Sequence, residues 1–438
     1  MKKLLLSILL SFLFTNGFSQ NLNTKRLDSL FEILNKNNKY MGSIAVSENG
    51  KLIYSNSIGY ADVASSKKSD INTKYRIGSI SKIFTASLIF KAVEEKKITL
   101  NQTIDKYFPT VKNANKITIS NLLNHRSGIH DFTNDDSYFE WNTEYQSKNK
   151  MIERISSGEI AFEPHTKGEY SNSNYVLLSF ILEDIYKKPY AEILNQKIIK
   201  PLKLKNTYFG GKINIENKEC HSYTFTEEWK KSTETDMSIP QGAGGIVSNP
   251  TDLNYFIESL FSGKIISSEH LELMKTTKDK FGMGMFEIPY NNKKIYGHNG
   301  GIDRFKSVLS YLPKEKLAIA FCSNGKDYDN NNVLLCVLSS YFNDPFQMPT
   351  FTKIDVKPEA LEQYLGIYAS LQMPLKITIT KSETSLIGQA TGQPGFPLEA
   401  SAINTFKFDQ AGVVLEFNPA EKQMKLKQNG HEYLFTKE

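Results

Sequence analysis

Cysteine is scarce in this chain: Cys220, Cys322 and Cys336 are the only three in 438 residues. An odd, thin set excludes a small disulfide-stapled scaffold. Cys322 ends the apolar run Leu317–Cys322 and Cys336 sits in a helix-like run, so both read as core residues. A bond between them stays open at this level. Histidine is thin too, with seven residues at positions 125, 130, 165, 221, 270, 298 and 431. There is no His-Glu-x-x-His, and no helix signal puts His125 and His130 on one face. No metal site is expected from such spacing. A Gly-x-x-x-x-Gly-Lys-Ser/Thr phosphate loop is missing, and nothing else implies a cofactor. The Gly-x-Ser-x-Gly elbow of the α/β-hydrolases is missing as well.

Neither sign of charge dominates. The formal charge of +6 is spread over 53 basic and 47 acidic residues, with no basic run interleaved with aromatics. Nucleic acid is therefore not an expected partner. Long apolar runs are also lacking: beyond residue 19, none approaches the about 20 residues that a membrane span needs. Residues 1–19 themselves read as a signal peptide. Lys2-Lys3 precede an apolar stretch from Leu4 to Phe14, and small Gly17 and Ser19 stand before Gln20. The expectation is an exported chain, periplasmic or secreted, without a membrane span.

What is present is enough for packed cores. Hydrophobic residues make up 40% of the chain, and the length suits two or three domains. Leu27, Leu30, Phe31 and Leu34 mark a first amphipathic helix. Asn49-Gly50 between Gly42–Ser47 and Lys51–Ser55 predicts a hairpin. The stretch from Lys91 to about Lys275 is mainly helical and loop-like, with Gly242–Gly245 read as a flexible turn. Strand patterns return at Met283–Ile288, Lys294–Gly297, Phe305–Leu312 and Leu317–Cys322, and a helix over Val333–Phe342 follows. Strands at both ends of a helical block predict an α+β domain over residues 20–342, with one sheet built from its two ends. Residues 343–357, with Pro345 and Pro349, form a linker. Residues 358–438 predict a small all-β accessory domain, barrel-like, with a short helix and strand over Leu361–Tyr368 and further strands at Lys376–Thr380, Ser385–Ala390, Thr405–Phe408, Val413–Asn418, Met424–Gln428 and Tyr433–Thr436.

One stretch, Tyr75–Phe90, organises the chemistry. It holds Ser79-Ile80-Ser81-Lys82, followed by apolar residues at helical spacing. Residues three apart on a helix are neighbours, so an amine stands beside a hydroxyl. Ser-x-x-Lys recurs at Ser65–Lys68 and Ser147–Lys150, but there in polar segments. A serine hydroxyl needs a base to attack a carbonyl at neutral pH. A lysine, with an ordinary pKa near 10.4, must be desolvated to serve as that base, and a tyrosine held by cations can share the work.

Ser79-Ile80-Ser81-Lys82, Tyr170-Ser171-Asn172 and His298-Asn299-Gly300 stand in the order of the three motifs of the serine β-lactamase-like family, which this chain resembles over roughly residues 23–342. That family includes class C β-lactamases, type B D-alanyl-D-alanine carboxypeptidases and related esterases. Leu122–Gly128 and Ala243-Gly244-Gly245-Ile246 are similar to it as well. The resemblance implies an antiparallel sheet flanked by helices, and an acyl-enzyme on Ser79. It implies Lys82 and Tyr170 as the proton-handling pair, without deciding which is the base. Asn172, His298, Asn299, Gly300 and Gly301 are implied in substrate binding, with the amides of Ser79 and Gly301 as oxyanion donors. Tyr-x-Asn recurs at Tyr54, Tyr290, Tyr328 and Tyr341, so the ordered set carries the resemblance, not that motif alone.

The third motif departs from most β-lactamases, which carry lysine where this chain has His298. Histidine is mostly neutral at pH 7, so a fixed cation for a substrate carboxylate is missing there. Arg304 and Lys306 can supply charge, or can be a solvated strand edge. The implied substrates are small molecules or peptides, either D-amino-acid peptides of the D-Ala-D-Ala type or esters, with β-lactams a weaker fit. Peptidoglycan is a candidate partner. A catalytically weak penicillin-binding or peptidoglycan-sensing module is the alternative. Loops 131–150 and 212–239 are expected to wall the cleft.

Overall fold

The computed structural model describes residues 22–438. The signal-peptide expectation lies outside these residues. None of the described helices is long and apolar enough to cross a membrane.

Helix α1 (Thr24–Lys36) leads into β1 (Tyr40–Glu48) and β2 (Lys51–Ile58). Asn49 and Gly50 turn the hairpin with φ of 51° and 78°, the left-handed pair that two-residue turns require. A helical block follows, with α2 (Ser81–Glu94), α3 (Asn172–Tyr186) and α4 (Pro250–Phe261) as its longest members. The chain then adds β3 (Phe286–Tyr290), β4 (Lys293–Ile302), β5 (Phe305–Leu312) and β6 (Leu317–Lys326), and closes with α5 (Asn330–Phe342). These strands form one antiparallel sheet in the order β3-β4-β5-β6-β1-β2. Its two halves flank the helical block in the sequence, as expected.

Both faces of that sheet are covered. On β6, Leu317, Ile319 and Phe321 join a core with Leu27 and Leu30 of α1 and Val333 and Val337 of α5. The alternate residues Ala318, Ala320 and Cys322 join the larger core with α2, α3 and α4. The period of two sends neighbours to opposite faces, so a strand covered on both sides reads as one unbroken apolar run. Cys322 and Cys336 fall into these two different cores and are not bonded. Helix α2 is buried on nearly every side, and its Phe84 stacks on Phe256 of α4 with ring centroids 3.6 Å apart.

The C-terminal strands close into an eight-stranded barrel. Sequence patterning misses one of them, Phe396–Ala402. It contains Pro397, which cannot donate to a ladder, and lacks β-branched residues. The barrel meets the mixed body through Lys39, which lies 2.6 Å from Asp327 and 3.4 Å from Asp409.

Candidate active site

Ser79 stands in a short 3-10 turn, Gly78–Ile80, that precedes α2 rather than in the helix itself. Lys82 is then in the first turn of α2, fully buried. Its Nζ lies 3.0 Å from Ser79 Oγ, 2.8 Å from Asn172 Oδ1 and 2.9 Å from the Ala243 carbonyl oxygen. The spacing of three in the tetrad has done what helix geometry dictates. Residues 241–244 are a helical turn rather than a flexible loop, and this fixes the Ala243 carbonyl.

Burial pushes the Lys82 ammonium down to about 7, with the Asp131 carboxylate opposing. A neutral amine has two N–H donors and one lone pair. The Ala243 carbonyl and Asn172 Oδ1 can only accept, so they take the two donors. The lone pair is left for the Ser79 hydroxyl. Asn172 is held in that orientation because its Nδ2 donates to Asp131 Oδ2 at 3.0 Å and to Thr133 Oγ1 at 3.3 Å. Asp131 in turn accepts from Thr133 N at 3.1 Å and Thr133 Oγ1 at 2.9 Å. Sequence reasoning missed Asp131 because it sits in an irregular loop without a motif.

Tyr170 lies beside Lys82, whose Nζ is 4.9 Å from the ring centroid. Its phenol is not held by cations as expected. Burial raises its pKa, the nearby Ser79 hydroxyl only partly offsets this, and Asp131 raises it further. The ring is stacked on His125 at 4.4 Å and flanked by His298 at 6.1 Å. His125 is itself neutral: burial lowers its pKa well below the usual value, Lys82 lowers it further, and its Nδ1 accepts from Ser171 N at 3.2 Å. The two groups thus differ at rest: Lys82 Nζ lies 3.0 Å from Ser79 Oγ with its pKa pushed down to about 7, and the Tyr170 phenol is protonated with its pKa raised.

His298 is buried and packs on Phe286 at 4.5 Å. Its pKa is lowered to about 3, first by burial and then by Lys82, with the Asn299 carbonyl opposing. Nδ1 donates to that carbonyl at 2.5 Å, which leaves Nε2 as an acceptor. The ring is therefore no substitute for a lysine cation. Asn299 is exposed, Gly300 is buried, and neither lines the cleft. A Cβ at Gly300 would come within 1.9 Å of the Ile77 carbonyl oxygen, so Gly300 serves close packing of β4 on the Ser79 turn.

Gly301 does line the cleft, together with Ser79 and Asn172. Pairing of β3 with β4 ends at Phe286–Gly297, so residues 298–302 have one unpaired edge. The Gly301 amide nitrogen is only 2.6 Å from where a Cβ on Gly78 would sit, and Gly78 has φ +52°. Only glycine suits that place. The cleft has a volume of about 530 Å³. Its walls come from the two expected loops, through Phe132, Tyr138 and Asn142 on one side and Ser232, Thr235 and Ile239 on the other. Arg304 and Lys306 are exposed, as a solvated edge would be, and both line the cleft. No cluster of residues that could hold a metal occurs among the described residues.

Comparison with known proteins agrees with this architecture. The chain is 29% identical over 305 residues to teichoic acid D-alanine hydrolase of Staphylococcus aureus, covering 68% of this chain and 73% of that one. The structure of the octameric penicillin-binding protein homologue from Pyrococcus abyssi matches 95% of this chain and 100% of its own, with TM-score 0.69 and 22% identity. D-amino acid amidase from Ochrobactrum anthropi SV3 matches 73% of this chain and 100% of its own, with TM-score 0.65 and 24% identity. These two show a shared fold, which in the first extends over the C-terminal barrel. Residues 28–334 match the family model for Beta-lactamase, and the chain belongs to that family.

Proposed function

We propose that the protein is a serine hydrolase that cleaves esters or amides of D-amino acids, D-alanine foremost, through an acyl-enzyme on Ser79. One observation carries the reading: a buried lysine with its pKa pushed to about 7 stands 3.0 Å from a serine hydroxyl on the cleft wall. The names of the relatives supply the substrate class, teichoic acid D-alanine for one and D-amino acid amides for the other.

In the first half-reaction, Lys82 takes the Ser79 proton while Oγ bonds to the substrate carbonyl carbon. The carbonyl electron pair moves onto oxygen, where the Ser79 and Gly301 amides receive it. Such preorganised donors typically supply ~10²–10³ in rate each. Collapse breaks the bond to the departing alcohol or amine. Tyr170 gives that group its proton and recovers one from Lys82. Water then attacks the acyl carbon, loses a proton to the Lys82–Tyr170 pair, and Ser79 leaves with a proton restored.

His298 supports ester and amide substrates over β-lactams. It holds no charge near neutral pH and cannot act as a fixed cation for a β-lactam carboxylate. Export remains part of the proposal and rests on residues 1–19. The test is labelling with a fluorophosphonate, peptide mapping of the adduct, and turnover of D-alanyl p-nitroanilide and a D-alanyl ester. Adduct on Ser79, and turnover abolished by Ser79→Ala, are expected. A folded protein that neither labels nor turns over would reject the reading and favour a sensing module.

A further inference from the structure

The Ser79 and Gly301 amides belong to distant parts of the chain. One lies in the turn that follows the short strand Tyr75–Arg76, the other near the end of β4. Gly78 and Gly300 let the two segments approach, but a missing side chain only permits a contact and does not hold it. Residues 298–302 are paired with β5 on one side alone. Ser307 Oγ donates to the Ile77 carbonyl at 2.7 Å, which ties β5 to the turn at one point.

A second tie is an ion pair. Arg76 stands three residues before Ser79, and Asp303 two residues after Gly301. Arg76 Nη1 donates to Asp303 Oδ2 at 3.0 Å, and the two side chains are 2% and 3% exposed. A pair this buried is little screened by salt. The same guanidinium reaches the cleft wall. Nη1 also donates to the Thr235 carbonyl at 2.8 Å, and Nη2 donates to the Gly211 carbonyl at 2.9 Å and Glu234 Oε2 at 3.4 Å. Asp303 Oδ1 accepts from Thr235 N at 3.0 Å and Thr235 Oγ1 at 2.7 Å. One buried knot thus joins the lead-in to Ser79, the tip of the β4–β5 hairpin and the wall at Thr235.

The backbone at Asp303 shows that the carboxylate is what this place requires. Its φ is +53°, at the first of the two residues that turn β4 into β5. Glycine meets that conformation with the least strain. An aspartate here gives up backbone ease for a side chain with both oxygens engaged.

We infer that Arg76 and Asp303 are positioning residues whose ion pair sets the spacing of the Ser79 and Gly301 amides. This rests on the acyl-enzyme reading above, which gives those amides to the oxyanion. The pair acts on the transition state through the two donors, so its loss should lower kcat and leave KM in place.

The test compares a D-alanyl ester with its thiono counterpart, in which sulfur replaces the carbonyl oxygen. Sulfur is a larger and weaker acceptor, so donors placed for oxygen discriminate against it. Wild type, Arg76→Gln, Asp303→Asn and the double variant are assayed as full chains, with circular dichroism as the check on folding. The double variant removes both charges together and leaves none buried alone, so it serves where a single variant does not fold. In it, kcat should fall about tenfold or more, part of the ~10²–10³ that one lost donor costs, with KM within about twofold. The oxo-to-thiono ratio of kcat/KM should fall by a similar factor. Each single variant that folds should lose about as much as the double, since the two side chains act as a unit. A smaller folded fraction lowers both substrates equally and cannot move the ratio. An unchanged ratio in the double variant overturns the inference, and so do additive losses in the singles. A raised KM with kcat intact overturns it too, by placing Asp303 against the substrate. Wild-type enzyme that labels at Ser79 but does not prefer oxygen to sulfur would reject the oxyanion assignment and this inference with it. Absence of Ser79 labelling and of turnover would instead reject the acyl-enzyme reading.

Discussion

Asn172 Nδ2 donates to Asp131 Oδ2 at 3.0 Å, and that contact decides which end of the Asn172 amide meets Lys82. Reversed, the amide would aim N–H donors at an amine whose own donors need acceptors. Asp131→Asn cannot keep the arrangement. If its amide oxygen faces Asn172, its NH₂ meets the Thr133 N–H; if its NH₂ faces Asn172, two donors collide. We expect kcat to fall about tenfold, the scale of one buried hydrogen bond. The carboxylate also raises the Lys82 pKa, so the acid limb of the rate profile should move to lower pH. A variant that loses rate without that movement would show that Asp131 acts only on folding.

On the proposed mechanism, the Lys82 pKa sets the pH dependence. The base must be unprotonated, so kcat/KM should rise with pH through about 7 and reach a plateau above it. Tyr170, raised above the ordinary tyrosine value, should add no alkaline limb below pH 10. The same shift acts on stability. Below about 7, folded and unfolded chains both hold the Lys82 proton, and the cost of burying the cation is fully present. Between about 7 and the ordinary lysine value of 10.5 only the unfolded chain holds it, so stability rises with pH. Tm of wild type relative to Lys82→Met, measured from pH 6 to 10, should rise accordingly.

His298 should stay neutral through the working range. Its pKa near 3 and the Nδ1 donation to the Asn299 carbonyl fix both charge and tautomer. Imidazole nitrogen NMR should show one tautomer, protonated at Nδ1, with no titration between pH 4.5 and 8. Titration near 6.5 would mean that the ring is solvated and that a cationic third motif is available after all.

Much of this site is legible in the sequence, for definite reasons. Ser79 and Lys82 are linked by helix periodicity, and Asn49-Gly50 announces its turn through backbone chirality. Tyr170 and His298 could be placed only through the order of motifs, since each lies on a different element and no local rule joins them. Asp131 and the Ala243 carbonyl were not legible. Their roles depend on which backbone and loop atoms the tertiary fold brings together, and a carbonyl leaves no trace in residue identity. The direction of the Tyr170 shift was likewise unreadable, because it comes from the aromatic packing of His125, Phe281 and Phe286 around the phenol. The barrel strand Phe396–Ala402 escaped because its composition contradicts its conformation.

Lys39 gives the junction between the two bodies a measurable weight. Its ammonium joins Asp327, at the end of β6, to Asp409 of the barrel. All three side chains are mostly buried, so Lys39→Ala leaves two carboxylates facing each other without a cation. A loss of about 1–3 kcal/mol is expected, between the values for exposed and buried pairs. Chemical denaturation should show it. Equal stability of wild type and variant would mean that the barrel docks through other contacts.

Gly78 is the sharpest mechanical test of the oxyanion assignment. Its φ of +52° already disfavours a side chain, and a Cβ there would lie 2.6 Å from the Gly301 amide nitrogen. Gly78→Ala must either strain the turn or push β4 away from Ser79. Strain of this kind costs ~1–3 kcal/mol wherever it occurs. Separation of the two amides acts on the rate alone, by about 10²–10³ for one lost donor. Gly50→Ala provides the control, since Gly50 has φ +78° but open space around its would-be Cβ. Both variants should lose Tm, Gly78→Ala by more because its Cβ also meets backbone atoms, and only Gly78→Ala should lose kcat. A Gly78→Ala enzyme with normal kcat would place the oxyanion donors elsewhere.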